Sequence, residues 1–307
     1  MSRLRSALPV VVLSLIVGAV VGLGVVPGMA GTIGAALLPW AGLLLVPLAV
    51  IGVRAAIRRS WAALALPVVA VVWAVAVGPA LPSVTSVTSS WPPAKGTAVT
   101  FASQNVEAHS GTSAASARTL ADRGSAVIAL TELDGDARTK AAQALSASHP
   151  YSYTVGTVGL WSVYPLSNPE GLRLGLAWER ALRADVAAPG GTVRVYVVHA
   201  ASFRPGQQAG RDAMLDRLAR LVASDDSRRL VAMGDFNAPT TDPALAGIRD
   251  HLTEPRPRGL SFGFTWPARF PLVRIDHIFE RGMTALDTDV IRAGGSDHRA
   301  VLATFDD

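Results

Sequence analysis

The segment Val231-Ala-Met-Gly-Asp-Phe-Asn-Ala-Pro239 determines how the second half of this chain is interpreted. Its first three residues are apolar and predict a buried β-strand, which the following glycine ends. Asp235 and Asn237 come next, two positions apart, so their side chains leave the extended backbone on the same side. Asp and Asn also form ordinary turns after strands. A carboxylate and an amide presented together past a strand nevertheless indicate a site that binds ions or moves protons.

Other predicted strands of the same region also carry such residues near their ends. The patterns predict strands over residues 98–105, 126–131, 172–178, 193–199, 229–233, 274–279 and 300–305. The polar residues at or near their ends are Asn105, Glu132, His199, Asp276, Asp297 and His298. Strand ends are where layered α/β folds build their sites, so we expect these side chains to meet.

Helical patterns alternate with these strands. The clearest predicted helix covers residues 210–223, where Met214, Leu215, Leu218, Leu221 and Val222 share one face. Residues 113–122 and 136–146 show weaker helical patterns. Strands that alternate with helices predict a layered α/β domain, which we place at residues 97–307.

The N-terminal third has a different composition. Its first 94 residues contain no Asp or Glu, and their charged residues are the five arginines Arg3, Arg5, Arg54, Arg58 and Arg59. Removing these five from the 28 basic residues leaves 23, which equals the number of acidic residues. The net positive charge therefore belongs to the apolar end and is not a nucleic-acid footprint on the remainder.

Three apolar stretches, residues 8–26, 33–53 and 61–77, are each close to the ~20 residues that a helix needs to cross a bilayer. We predict three transmembrane helices in residues 1–80, with a signal peptide as the alternative for the first. The arginines lie before the first stretch and between the second and third, which places both segments in the cytoplasm. The predicted protein is therefore a multi-pass cell-membrane protein with an extracytoplasmic C-terminal domain. A Pro-, Ser- and Thr-rich linker is expected at 81–96.

The chain has no cysteine. This excludes disulfides, thiolate metal sites and a cysteine nucleophile, and it does not identify the redox compartment.

Six segments together resemble the endonuclease/exonuclease/phosphatase superfamily, which has the deoxyribonuclease I-like fold. They occur in the order of that family and cover nearly all of the predicted domain: Ser103-Gln-Asn105-Val, Ile128-Ala-Leu-Thr-Glu132, Val197-Val-His199, Gly234-Asp-Phe-Asn237, Arg274-Ile-Asp276-His-Ile and Ser296-Asp-His298-Arg-Ala-Val301. The resemblance implies a four-layered α/β/β/α sandwich after the N-terminal helices, and a Mg²⁺-dependent phosphoesterase with Mn²⁺ as the alternative ion.

Carried over residue by residue, the resemblance implies a metal site and a catalytic group. Glu132 would be the principal Mg²⁺ ligand, supported by Asn105 and Asp297. The implied catalytic residues are His199, Asp235, Asn237, Asp276 and His298. Within this group, Asp276 would hold His298, and Asp235 would orient or deprotonate the water. Family members differ in which of these groups acts as the base, so the resemblance leaves that role open among them.

The chain departs from the family at two positions. Thr131 stands where Gln usually precedes the glutamate, and Ser162-Val-Tyr-Pro165 lacks the arginine that often precedes the proline. The second departure removes one basic residue near the substrate groove and disfavours long duplex DNA as substrate.

Several substrates remain open from sequence: nucleic acid, a phospholipid or a small phosphodiester or phosphomonoester. No protein partner is inferable. The competing hypothesis is a catalytically inactive, membrane-tethered binding module, which has no physical need to keep Glu132, Asp235, Asn237, Asp297 and His298 together. His277 must point away from Asp276 because adjacent strand residues face opposite sides, and we predict a structural role for it.

Overall fold

The computed structural model describes residues 2–58, 61–82, 97–257, 259 and 261–306. The chain divides into two compact units. The N-terminal unit comprises Met1–Leu81 with Pro239–Pro243, and the C-terminal unit comprises Pro82–Ala238 with Ala244–Asp307. Residues 83–96 of the predicted linker lie outside the described residues.

The N-terminal unit is helical: α1 is Ser2–Gly24, α2 is Met29–Ala41, α3 is Leu45–Ile57 and α4 is Ala65–Val77. A short 3₁₀ turn joins α2 to α3, so Met29–Ile57 is one helical run of 29 residues with mean hydropathy 2.2. Among the described residues this run alone is long and apolar enough to span a bilayer. The apolar helices Leu8–Gly24 and Ala65–Ala80 are shorter, so the three-span arrangement stays a prediction.

The first sheet of the C-terminal unit has six strands in the order β10-β11-β1-β2-β4-β3. The strands are β1 (Val99–Asn105), β2 (Val127–Thr131), β3 (Tyr151–Val155), β4 (Val158–Ser162), β10 (Thr284–Ile291) and β11 (Ala300–Asp306). Strands β1 and β2 are parallel, with Asn105 opposite Thr131. Helices α5 (Ser113–Asp122) and α6 (Gly135–Leu145) follow β1 and β2, as expected for a parallel crossover.

The second sheet has five strands in the order β5-β6-β7-β8-β9. They are β5 (Leu166–Leu172), β6 (Ala181–Ala188), β7 (Gly191–His199), β8 (Leu230–Asp235) and β9 (Asp276–Arg281). Strands β7 and β8 are parallel, with His199 opposite Asp235, and α7 (Gln208–Ala223) connects them. The short helix α8 (Ala246–Arg249) packs beside α7.

Three apolar cores stack the C-terminal unit into four layers. The central core joins the inner faces of both sheets, for example Phe101 and Val197. A second core packs α7 and α8 on the five-stranded sheet, and a third packs α5 and α6 on the six-stranded sheet. This arrangement confirms the predicted α/β sandwich.

One predicted strand is wrong. Residues 172–178 were expected to be extended, but β5 ends at Leu172 and the chain then turns. Leu174 and Gly175 have φ angles of 46° and 87°, which lie in the left-handed region and are incompatible with a continuing strand. The apolar alternation of this segment instead lets Leu174 fill the core beneath α7.

The parallel pairs bring the chemically active residues to one edge. The carboxyl ends of β1 and β2 carry Asn105 and Glu132, and those of β7 and β8 carry His199 and Asp235. Strand β9 is antiparallel to β8 and begins with Asp276 opposite Asp235. The two sheets face each other, so the strand ends of both converge at the same edge of the sandwich.

Candidate active site

Asp235 is the centre of the residue group at this edge. It is buried, and its Oδ2 accepts hydrogen bonds from the side-chain amides of Asn105 (2.9 Å) and Asn237 (3.3 Å). Its Oδ1 accepts a bond from the backbone N–H of Asn237 at 2.9 Å. Burial and the nearby charge of Asp276 raise the pKa of Asp235, whereas the positive charge of His298 opposes this shift. A buried carboxylate with a raised pKa is suited to accept a proton from a nucleophile.

His298 and Asp276 form a buried ion pair beside Asp235. The Nδ1 atom of His298 lies 2.9 Å from Oδ2 of Asp276, and their side chains are 7% and 0% exposed. Burial by itself lowers the pKa of His298, but the charge and hydrogen bond of Asp276, together with the charges of Asp235 and Asp297, raise it to about 10. The imidazole is therefore positively charged at neutral pH and turns its Nε2 away from Asp276.

Glu132 follows β2 at the opposite side of the group. Its Oε1 lies 3.4 Å from Nε2 of His199, and its Oε2 accepts a bond from the backbone N–H of Ala108 at 3.2 Å. The hydrogen bond with His199 lowers the pKa of Glu132 to about 2 despite the opposing effect of burial, and hydrogen bonds from Ala108 and Asn105 add to the shift. Glu132 is thus ionised and available as an oxygen ligand.

Arg180 is a site residue that sequence reasoning missed. It lies directly before β6, and its Nη2 is 2.5 Å from Nε2 of His199 and donates to the carbonyl of Ala200 at 3.2 Å. Burial lowers the pKa of Arg180, and the negative charges of Asp235 and Glu132 oppose that shift. A single arginine before an apolar strand belongs to none of the matching segments, so only the fold reveals its position.

The ring of His199 faces one hydrogen-bond donor and one hydrogen-bond acceptor. Its Nδ1 lies 3.2 Å from the hydroxyl of Thr157, and its Nε2 faces both Arg180, which only donates, and Glu132, which only accepts. The neutral ring with an unprotonated Nε2 accepts from Arg180, and a ring protonated there donates to Glu132. His199 therefore couples the guanidinium to the carboxylate.

The loop that carries Asp297 and His298 is fastened to the end of β1. The amide of Gln104 donates to the carbonyls of Ala293 (2.8 Å) and His298 (3.1 Å). The hydroxyl of Ser296 donates to the carbonyl of Asn105 at 2.6 Å and accepts from the N–H of His298 at 3.0 Å. Gln104 and Ser296 belong to the matching segments, and they hold the loop without taking part in the group itself.

Two site residues have strained backbones. Glu132 and Asn237 have φ angles of 58° and 49°, in the left-handed region that side chains other than glycine seldom adopt. Gly234, just before Asp235, has φ 145°, and a Cβ atom there would lie 1.9 Å from the carbonyl oxygen of Val198. The close approach of β7 to β8 thus requires glycine at this position.

Two groups of side chains present ligand atoms within 4.8 Å of one another: Glu132, His199 and Asp235, and Asp235, Asp276 and His298. Asp235 belongs to both, so the catalytic residues implied by the resemblance meet. Asp297 belongs to neither group. Its Oδ2 accepts a bond from the indole of Trp266 at 3.0 Å, and its Oδ1 lies 3.9 Å from Nε2 of His298. The expected ligand set of Asn105, Glu132 and Asp297 stays a prediction.

His277 faces away from the site. Its Nδ1 lies 2.8 Å from Oε1 of Glu254 and its Nε2 lies 2.8 Å from the carbonyl of Ala238. Glu254 also accepts from Arg274 at 2.7 Å, and all three side chains are buried. The contact with Ala238 fixes the loop that follows Asn237, in keeping with a structural role.

The fold and this strand-end group of carboxylates, amides and histidines define a phosphoester-hydrolase type of protein. The sequence matches the Endonuclease/Exonuclease/phosphatase family over residues 102–298. The chain belongs to this family.

Solved structures show the same fold. An endonuclease/exonuclease/phosphatase from Bacteroides vulgatus aligns with a TM-score of 0.57 at 16% identity, covering 68% of this chain and 98% of its own. D. rerio TDP2 in complex with a single-strand DNA product aligns with a TM-score of 0.55 at 18% identity, covering 68% of this chain and 99% of its own. Staphylococcus aureus beta toxin aligns with a TM-score of 0.55 at 15% identity, covering 67% of this chain and 99% of its own. No curated protein matches the sequence significantly.

Asp276 and His298 are expected to act as one unit. His298→Ala should lower kcat by about 10²-fold or more, because the charged imidazole is lost. The double variant Asp276→Asn, His298→Ala should be little slower than His298→Ala, since Asp276 acts through the ring. Steady-state rates of the three variants measure this. The control is His277→Ala, which should lower the melting temperature and spare kcat; a rate loss as large as that of His298→Ala would contradict the assignment.

The same pair predicts a pH-dependent stability in chelator-treated protein. The pKa of His298 is raised from 6.5 to about 10 in the folded protein. The contribution of the charged ring to the free energy of unfolding is therefore fully present below about pH 6.5 and disappears as the pH rises through about 10. The difference in melting temperature between the wild type and His298→Gln should therefore shrink over that range. A difference that stays constant would show that the ring is not charged in the folded protein.

Proposed function

We propose that this protein is a membrane-anchored, divalent-metal-dependent hydrolase of phosphodiesters or phosphomonoesters that acts on the extracytoplasmic side. The observation that carries the proposal is the buried group of Asp235, Asp276 and His298 at one strand edge, whose ligand atoms lie within 4.8 Å of one another. Buried groups with strongly shifted pKa values cluster at functional sites, which favours an active enzyme over an inactive binding module.

Each residue has a role that follows from its contacts. Asp235 accepts the proton of the attacking water, since its pKa is raised and two amides hold it in place. His298 is charged and stabilises the negative charge that develops on the phosphoryl oxygens. Asn237 donates to the same centre. Arg180 adds a second positive charge on the side of His199, where it binds a phosphoryl or leaving-group oxygen.

A divalent cation fits the residues on the Glu132 side. Glu132 is ionised and half-buried, and nearby Asn105 contributes to the lowering of its pKa. Mg²⁺ prefers such carboxylate and carbonyl oxygens, and Mn²⁺ accepts the same donors. When bound, the cation supplies Lewis-acid stabilisation of the phosphoryl charge. The position of Asp297 beyond the two ligand groups makes it an outer ligand or a support for His298 in this proposal.

Two classes of phosphoester substrate are each supported by one observation. The D. rerio TDP2 structure contains a single-strand DNA product, which supports a nucleic-acid phosphodiester. Residues 95–307 carry 23 basic and 23 acidic residues and so offer no excess of positive charge to hold a polyanion, which supports a smaller or lipid-linked ester.

Membrane anchoring is supported by the N-terminal unit. The Met29–Ile57 run is long enough for a bilayer, and its exposed side chains include Leu43, Val46, Val50 and Ile57. Apolar side chains on the outside of a helical unit are stable where the surroundings are lipid.

Activity should depend on metal through Glu132. Glu132→Gln should lose nearly all turnover of the best substrate while it stays folded, because the cation loses its charged ligand. Chelator should abolish wild-type turnover, and added Mg²⁺ should restore it. Glu170→Gln is the matched control, since Glu170 is an exposed β5 residue paired with Arg183. Wild-type rates in Glu132→Gln would refute the metal site.

The orientation follows from the arginines, which lie before the first apolar stretch and between the second and third. A C-terminal alkaline phosphatase fusion should therefore be active, and a fusion to a reporter that works only in the cytoplasm should be silent. The opposite pattern would place the C-terminal unit in the cytoplasm.

A further inference from the structure

Large apolar side chains are exposed at two places on the C-terminal unit, and their distribution is uneven. Among the described residues, five of them lie on three loops at the active-site edge: Trp178, Phe203, Trp266, Phe270 and Leu272. Three others lie toward the opposite edge: Tyr151 and Leu286 near the starts of β3 and β10, which run toward the site, and Val163 just after the end of β4, which runs away from it.

Each of the three loops is connected to a site residue. Trp178 precedes Arg180, and Phe203 follows His199 by four residues. Trp266 donates its indole N–H to Asp297. We name Trp178, Phe203, Trp266, Phe270 and Leu272 the apolar rim.

The third loop is the most exposed part of the rim. Phe270 is 70% exposed and Leu272 is 40% exposed, and Arg269 precedes them on the same exposed loop. Exposing such side chains to water is unfavourable, and contiguous exposed apolar residues mark contact surfaces. Tryptophan, phenylalanine and leucine beside arginine are the composition that lies in the interface of a bilayer, where arginine meets lipid phosphates.

We infer that the apolar rim inserts into the surface of a lipid bilayer and that the substrate is a phosphoester lipid, whose headgroup phosphate enters the site between Arg180 and His298. The substrate part of this inference rests on the proposed function, whereas the membrane contact does not. Two observations favour lipid over nucleic acid. The C-terminal unit lacks the positive charge that a polyanion requires, and the same chain carries a helix of bilayer length.

The activity experiment uses the full chain in nanodiscs of phosphatidylcholine and phosphatidylglycerol. Phe270→Ser and Leu272→Ser should each reduce hydrolysis of the nanodisc phospholipids by about tenfold, because each removes the burial of one apolar side chain at the interface. Both should leave turnover of a soluble aryl phosphodiester unchanged, since neither residue belongs to the site. Leu286→Ser is the matched control, because Leu286 is also 40% exposed but lies at the far edge.

A second experiment measures the membrane contact without activity. The chain has no cysteine, so Phe270→Cys and Leu286→Cys each accept one environment-sensitive fluorophore. The label at position 270 should shift its emission to the blue when the full chain is moved from amphipol into nanodiscs, and the label at position 286 should not shift.

The outcomes separate the two proposals. A blue shift at position 270 without hydrolysis of any phosphoester would support the membrane contact and overturn the proposed function. Hydrolysis of the aryl phosphodiester without a shift, or with Phe270→Ser equal to the wild type on lipid, would overturn the rim assignment alone. Loss of single-stranded DNA hydrolysis in Phe270→Ser, with lipid hydrolysis unchanged, would make the rim a base-stacking surface and overturn the inference.

Discussion

Two carboxylates, Asp235 and Asp276, are buried side by side at the edge of the sandwich, and the positive charge of His298 makes this arrangement stable. Like charges in a desolvated site repel strongly, so removing the imidazole leaves an uncompensated pair. The surrounding residues hold these three side chains in position. Gln104 and Ser296 hold the loop of His298, and the amides of Asn105 and Asn237 hold Asp235.

The charged groups of the site lie on two sides of Asp235, and they are paired differently on each side. On one side His298 and Asp276 form a buried ion pair. On the other side Glu132 and Arg180 both face Nε2 of His199, which can contact only one of them through a hydrogen bond at a time. The first side suits the stabilisation of charge on phosphorus, and the second suits the exchange of ligands during turnover. Asp235 lies between them and belongs to both groups of potential ligands.

Many of the strands and site residues could be predicted from the amino-acid sequence. The apolar run before Asp235 and the runs before Glu132 and His199 predicted the central strands, because strands buried on both faces have nearly continuous apolar sequences. The peripheral strands were missed for the opposite reason. Strand β10 contains two aspartates and two threonines, and β6 has small and charged side chains, so neither shows a strong pattern. The strand expected at residues 172–178 was wrong because a left-handed turn at Leu174 and Gly175 gives no signal in apolar alternation.

The sequence by itself determined the family and the central strands, and it predicted most of the side chains that meet in the candidate site, because each of them is attached to a strand whose apolar pattern is local. It also separated an apolar N-terminal region from a charge-balanced remainder. Only the tertiary structure decided which side chains are partners. It placed Arg180 against His199, directed Asp297 toward Trp266, and gathered Trp178, Phe203 and Phe270 from three separate loops onto one rim. These relations depend on distances between segments remote in sequence, which only strand pairing and sheet packing specify.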